Sequence, residues 1–100
     1  MWYAIICEDV ENSLPLRKLH RPAHLERLRP LIDKGRVLVA GPHPRDDSAK
    51  EGFSGSLLVV KFESLAEAKQ WTETDPYVLN GVYENVVVKP FTVVFPDIED

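Results

Sequence analysis

The run Trp2-Tyr3-Ala4-Ile5-Ile6-Cys7 constrains this chain more than any other stretch. It is rich in β-branched and aromatic residues, strand-sized, and apolar almost without interruption. That pattern predicts an inner strand, covered on both faces, rather than an edge with one face in water. An inner strand needs a neighbour on either side, so the rest of the chain has to supply further strands and something to cover them. Glu8-Asp9-Val10-Glu11-Asn12-Ser13 follows as a polar connection, with Asn12 or Ser13 available as a helix N-cap.

From Leu14 the period changes. Leu14, Leu25, Leu28 and Ile32 fall on one side of a helical wheel, with Leu31 at its border. Arg17, Arg21 and His24 fall within or beside the same stripe, an unusual place for charged groups. Pro22 predicts a loose first turn that restarts near Arg21 with the proline at its first helical position, and Pro30 predicts a kink. Gly35 ends the segment by supplying a left-handed residue, with Lys34 and Arg36 beside the carbonyl end.

Val37-Leu38-Val39-Ala40 reads as a second strand stopped by Gly41-Pro42-His43-Pro44, and residues 45–54 as a surface loop. Residues 55–62 are a third strand. Its connection to the second is too short for a buried helix, so the two are expected to pair antiparallel. Ser64-Leu65-Ala66-Glu67 is a capping-box pattern, and Leu65, Ala68 and Trp71 then recur at helical spacing up to Asp75-Pro76. Residues 77–81 are a short turn closed by Gly81. A last extended region, 82–95, carries Pro90 as a divider or bulge, and a polar tail starts at about residue 96.

The order strand, helix, strand, strand, helix, strand is a ferredoxin-like α+β arrangement: a four-stranded antiparallel sheet with both helices on one face, one domain over residues 1–100. Both faces of the strands carry apolar residues. The face away from the helices is expected to hold some of Tyr3, Ile5, Val37, Val39, Leu58, Val60, Val86 and Val88, and a second copy is expected to cover it.

Charge and composition narrow the partners. A net charge of -4 with no basic stripe argues against nucleic acid. The apolar N-terminus is short, lacks a basic flank and meets Glu8 and Asp9 at once, so neither a signal peptide nor a membrane span is expected. The one cysteine, Cys7, reads as a quiet buried thiol, and the chain as cytoplasmic.

His24 is the residue best suited to proton transfer near neutral pH, against the bland reading of a neutral core histidine bonded to a carbonyl. Arg21, one turn earlier, is placed to hold an anionic group. Asp75 reads either as a helix-ending aspartate or as a carboxylate that accepts the second ring N–H of His24 or takes the proton itself. His20 shares a helical spacing with His24, but nothing completes a metal site, and Gly52 and Gly55 do not form a phosphate loop. No metal or cofactor is expected. His43 belongs to a pocket rim or to plain surface, and Ser56 and Tyr77 offer hydroxyls without a nucleophile motif.

Several stretches together, in order, resemble the YciI family: Arg21-Pro22-Ala23-His24-Leu25, Gly35-Arg36 leading to Ala40-Gly41-Pro42, Gly52-Phe53-Ser54-Gly55-Ser56, Asp75-Pro76-Tyr77, Gly81-Val82-Tyr83 and Val88-Lys89-Pro90-Phe91. The loop from Arg45 to Glu51 is short for that family, which alters the pocket rim. The resemblance implies two domains joining their sheets as a barrel-like dimer, with a pocket beside a histidine–aspartate pair that maps to His24 and Asp75. The wider superfamily resembles muconolactone isomerases, small monooxygenases and dehydrochlorinases of chlorinated hydroxyquinols. The expected function is therefore cofactor-independent acid–base chemistry, isomerase or lyase in type, on a small oxygenated ring or lactone. His24 and Asp75 are its expected catalytic residues, and Arg21, Gly41, Pro42, Ser56 and Tyr77 bind a small, anionic substrate. The competing expectation is a non-catalytic binding or accessory dimer with the same pocket.

Overall fold

The computed structural model describes residues 1–48 and 52–98. The inner strand is β1 (Trp2–Asp9), which pairs antiparallel with β3 (Phe53–Lys61) on one side and β4 (Tyr83–Phe91) on the other. β2 (Val37–Pro44) pairs antiparallel with β3 at the far edge, so the sheet order is β2-β3-β1-β4. The helices are α1 (Leu14–Asp33), α2 (Leu65–Glu73) and a single turn, α3 (Pro76–Leu79). This is the ferredoxin-like α+β order. Among the described residues no helix is long and apolar enough to cross a membrane.

The core lies between the sheet and α1 with α2. Tyr3, Ile5 and Cys7 of β1 pack with Leu58 and Val60 of β3, Leu28 and Leu31 of α1, and Ala68 of α2. Full burial of each larger aliphatic side chain stabilises by about 1.5–3 kcal/mol, which makes β1 the element the fold rests on. The strand pairing also fixes the other face: Ala4 stands opposite Val59, Ile6 opposite Leu57 and Val87, and Trp2 opposite Phe91. The sequence-based allocation of faces is corrected here. Tyr3, Ile5, Leu58 and Val60 are in the helix-side core, with Val37, Val86 and Val88 packed against it. Of the residues expected on the open face, Val39 is there, opposite Val59. Because β1 is apolar at both parities, its sequence alone could not tell the faces apart.

Three boundaries also differ from expectation. β2 runs on through Gly41-Pro42-His43-Pro44 instead of stopping at Ala40, because it is an edge strand and its prolines need no N–H on the open side. Pro90 is tolerated within β4, the other edge, for the same reason. β3 begins at Phe53, so the expected loop is shorter, and its residues 49–51 lie outside the described residues. α1 is unbroken from Leu14 to Asp33, with Pro22 and Pro30 inside it. Both prolines are exposed, where water takes the carbonyls that lack a helical donor. Its buried residues are Arg17, His24, Leu28 and Leu31, while Ile32 is outside. The stripe is turned so that two polar groups face inward.

The ends follow their local chemistry. Gly35 takes φ 68 past the end of α1, and the Arg36 N–H returns to the Leu31 carbonyl. The Ser64 hydroxyl accepts the Glu67 N–H at 3.1 Å to start α2. Ser13 occupies the N-cap of α1 without capping it, because its hydroxyl donates to Asp9 instead.

Candidate active site

α1 and α3 together place an imidazole against a carboxylate. Asp75 is the N-cap of α3, and its Oδ2 accepts the Tyr77 N–H at 2.9 Å, with Pro76 at the first helical position. The same carboxylate lies 3.0 and 2.9 Å from Nδ1 of His24. A third donor, Arg27, places Nη1 3.4 Å from Oδ1. Arg27 also bonds the Trp71 carbonyl and the Thr74 hydroxyl, with its guanidinium over the Trp71 ring, and so ties the end of α2 to α1. Asp75 is thus enclosed and surrounded by donors. An aspartate so placed accepts Nδ1–H and leaves Nε2 as the ring nitrogen with no partner among the described residues.

The His24 ring is held flat on Tyr77, with centroids 4.0 Å apart and planes 8° from parallel. Tyr77 in turn meets the edge of Tyr83. Packing on one side and a bidentate acceptor at Nδ1 leave the imidazole little freedom to rotate.

A second polar cluster lies further back along α1. Asp9 ends β1 at the same parity as Tyr3, Ile5 and Cys7, and so points inward, where a lone carboxylate is costly. Arg17 answers it with Nε at 2.6 Å and Nη2 at 2.8 Å, and Ser13 adds its hydroxyl at 2.5 Å. Nη2 of Arg17 also reaches the Gly55 carbonyl and the Ser56 hydroxyl, which accepts from Tyr83 as well. A Cβ on Gly55 would lie 2.1 Å from the Cys7 carbonyl oxygen, so glycine is what lets β3 come this close. Burial works against the Arg17 charge, but the bond to Asp9 and its charge outweigh that and raise its pKa. Burial also pushes the Cys7 thiol up to about 12, leaving it protonated and unreactive near neutral pH. Tyr77 and Tyr83 are raised, first by burial, and stay neutral hydroxyls.

Between α1, β2 and β3 lies a cavity of about 440 Å³, within the roughly 300–1,000 Å³ typical of small-molecule sites. His24, Tyr77 and Ser56 are in its wall, and Arg21, Gly41 and Pro42 line its exposed side. All the residues singled out from the sequence as substrate-binding are therefore gathered here, whereas Asp75 stands behind His24 and outside the wall. Arg21 bonds to no described residue. Ser56 is already engaged by Arg17 and Tyr83. His20 is not in the wall, and among the described residues no three His, Cys, Asp or Glu gather as metal ligands. Sequence reasoning gave no role to Arg17, Asp9, Arg27 or Tyr83. The signal for the first two was present: an arginine on an apolar helical stripe and an aspartate at inward strand parity require each other.

Residues 1–92 match the YCII-related domain. The chain is 51% identical to protein YciI of Escherichia coli over 95% of its own length and all of that protein. It is 32% identical to derivative of benzaldehyde biosynthesis cluster protein C of Emericella nidulans, over 74% of this chain and 76% of that one. Among solved structures it is similar to the 5-chloro-2-hydroxyhydroquinone dehydrochlorinase of Burkholderia phenoliruptrix in complex with 2,5-dihydroxybenzoquinone. The TM-score is 0.82 and the identity 29%, covering 92% of this chain and 94% of that one.

Proposed function

The chain belongs to the YCII-related domain family, and on that premise we propose that it is a small-molecule enzyme in which His24 transfers a proton and Asp75 orients it. The observation that carries this reading is the His24 ring in the cavity wall with Nδ1 held 2.9 Å from the enclosed Asp75 carboxylate. Nε2 bonds to no described residue and is the nitrogen left for a substrate. It takes a proton from an acidic O–H or C–H of a small oxygenated ring. The electron pair left behind takes that proton back at a ring carbon, an isomerisation, and where that carbon carries chloride, loss of a second O–H proton then expels chloride, an elimination. Asp75 stabilises the imidazolium formed in between. Its oxygens face three donors and not the cavity, which favours an orienting role over that of base. Arg21, exposed at the cavity edge, adds positive potential to the entrance. The dehydrochlorinase activity of the structural neighbour and the biosynthetic-cluster relative support a small-molecule reaction.

The test is a turnover screen of the purified protein. Chloride release is followed from 5-chloro-2-hydroxyhydroquinone and related chlorinated hydroxyquinols, and double-bond migration in a set of unsaturated lactones. Turnover of either class is the expected result. Binding of these compounds with no conversion would favour a non-catalytic binding protein.

The second copy expected from the sequence belongs to the same proposal. Ile6 and Leu57 are half-buried, and Val39, Val87 and Phe91 are exposed, on the face away from the helices. Sedimentation at micromolar concentration is expected to give a dimer, and a monomer would contradict this assignment.

A further inference from the structure

We propose that Arg17 is the anion-receiving group of the cavity, and that the ligand is a flat six-membered ring carrying a negatively charged oxygen. The inference rests on the reading of the cavity as the substrate site. Arg17 is 5% exposed and lies in the cavity wall. Asp9, Gly55 and Ser56 occupy Nε and Nη2. Nη1, with two N–H groups, bonds to no described residue, yet it is not among the side-chain atoms sealed from solvent without a partner. It is therefore the nitrogen open to the cavity.

Its surroundings favour an anion over a neutral acceptor. The guanidinium carbon lies 5.1 Å from the Phe53 ring, 5.2 Å from Tyr77 and 5.8 Å from Tyr83. These rings keep water from its flanks and hold its plane, so the donors are already oriented and act in a low-dielectric setting. Among the described residues no carboxylate lines the cavity, while Lys18, Arg21 and His24 do. Asp9 neutralises the opposite edge of Arg17 and leaves the N–H pair of Nη1 as directional donors. Arg21, by contrast, is exposed, and water screens it.

The Tyr77 ring is stacked on His24 at 4.0 Å and lies 5.2 Å from the Arg17 guanidinium carbon, so it spans the gap between the two groups. A six-membered ring in the cavity that both residues line places its anionic oxygen on Nη1 and the reacting O–H or C–H near Nε2 of His24. Leu25, Leu28 and Leu58 supply apolar wall for the ring's other side.

Benzoate and benzamide, which share a shape and differ in charge, are the probes, titrated calorimetrically into the full-length protein. Benzoate is expected to bind about 10-fold or more tighter, the scale of a charge-assisted hydrogen bond in a dry site. Arg17→Lys keeps a cation beside Asp9 but lacks Nη1, and is expected to remove most of that preference; Arg21→Ala is expected to remove little. If Arg17→Lys does not fold, the Arg17 Nη1–H signals of the native protein decide: they are expected to shift with benzoate and not with benzamide. Equal affinity for the probes, no binding of either, or loss of preference in Arg21→Ala instead would overturn the assignment. His24→Ala separates the two proposals, because it is expected to lower turnover steeply and keep the benzoate preference. Turnover without charge preference ends the Arg17 assignment alone, and preference without turnover ends the proton-transfer reading alone.

Discussion

His24→Ala is expected to lower kcat by about 10²–10⁴-fold, the usual contribution of a positioned general base, in whichever reaction the screen identifies. The fold should survive, because the stacked contact with Tyr77 that the substitution removes contributes only about 0.5–1.5 kcal/mol beyond its burial. A thermal melt of the variant checks this. Asp75→Asn is expected to cost a similar factor through a different route. The Asp75 carboxylate accepts both the His24 Nδ1–H and the Tyr77 N–H, with Arg27 nearby, and an amide has one acceptor oxygen to offer. When that oxygen keeps the Tyr77 N–H, the amide N–H₂ faces Nδ1 and draws the imidazole proton to Nε2, where the base is needed. The double variant should be hardly worse than either single one, because the two residues act as a unit. A His24→Ala protein with unchanged kcat would remove the proton-transfer role.

Asp9→Ala is expected to destabilise the fold by about 3–5 kcal/mol, because it leaves the Arg17 guanidinium buried without its counter-ion. For a domain of this size that corresponds to a fall in Tm of more than about 10 °C. The reverse change, Arg17→Met, strands Asp9 with the Ser13 hydroxyl alone and should cost a comparable amount. Replacing both partners by apolar residues, Asp9→Leu with Arg17→Met, should recover much of the loss, since apolar packing rivals a buried ion pair once neither charge remains. Urea unfolding of the three variants measures the coupling between the sites. If Asp9→Ala costs less than about 1 kcal/mol, the pair behaves as a surface ion pair, and the cluster is not enclosed.

These two clusters show where sequence reasoning carried and where it stopped. Elements whose signals are local were legible: the unbroken apolarity of β1, the Ser64–Glu67 box that starts α2, and Gly35 at positive φ after α1. What depends on an element's place in the sheet was not. Pro42 and Pro44 look like a stop until β2 is known to be an edge strand, and the two apolar parities of β1 cannot be ranked until the helices are placed on one of them. Pro22 suggested a restart of α1, but a helix anchored on both sides of it by Arg17–Asp9 and His24–Asp75 tolerates one missing N–H on its wet face. In the site, His24 stood out by its chemistry. Its approach to Asp75, 51 residues away, was one of two readings of the residues, and the family resemblance favoured it. Asp9, Arg17 and Arg27 went without a role because charged residues default to the surface, and only the strand parity and the helical stripe say otherwise.

The proton-transfer reading turns on which nitrogen of His24 carries the proton and whether that nitrogen pair senses a ligand. ¹⁵N-resolved NMR of the His24 ring, with and without 2,5-dihydroxybenzoquinone, measures both. The result expected is a neutral ring protonated at Nδ1, an Nε2 signal that shifts on ligand addition, and loss of that tautomer in Asp75→Asn. A ring protonated at Nε2, or one whose signals ignore both the ligand and Asp75→Asn, would contradict the assignment and leave His24 as a core residue of a binding protein.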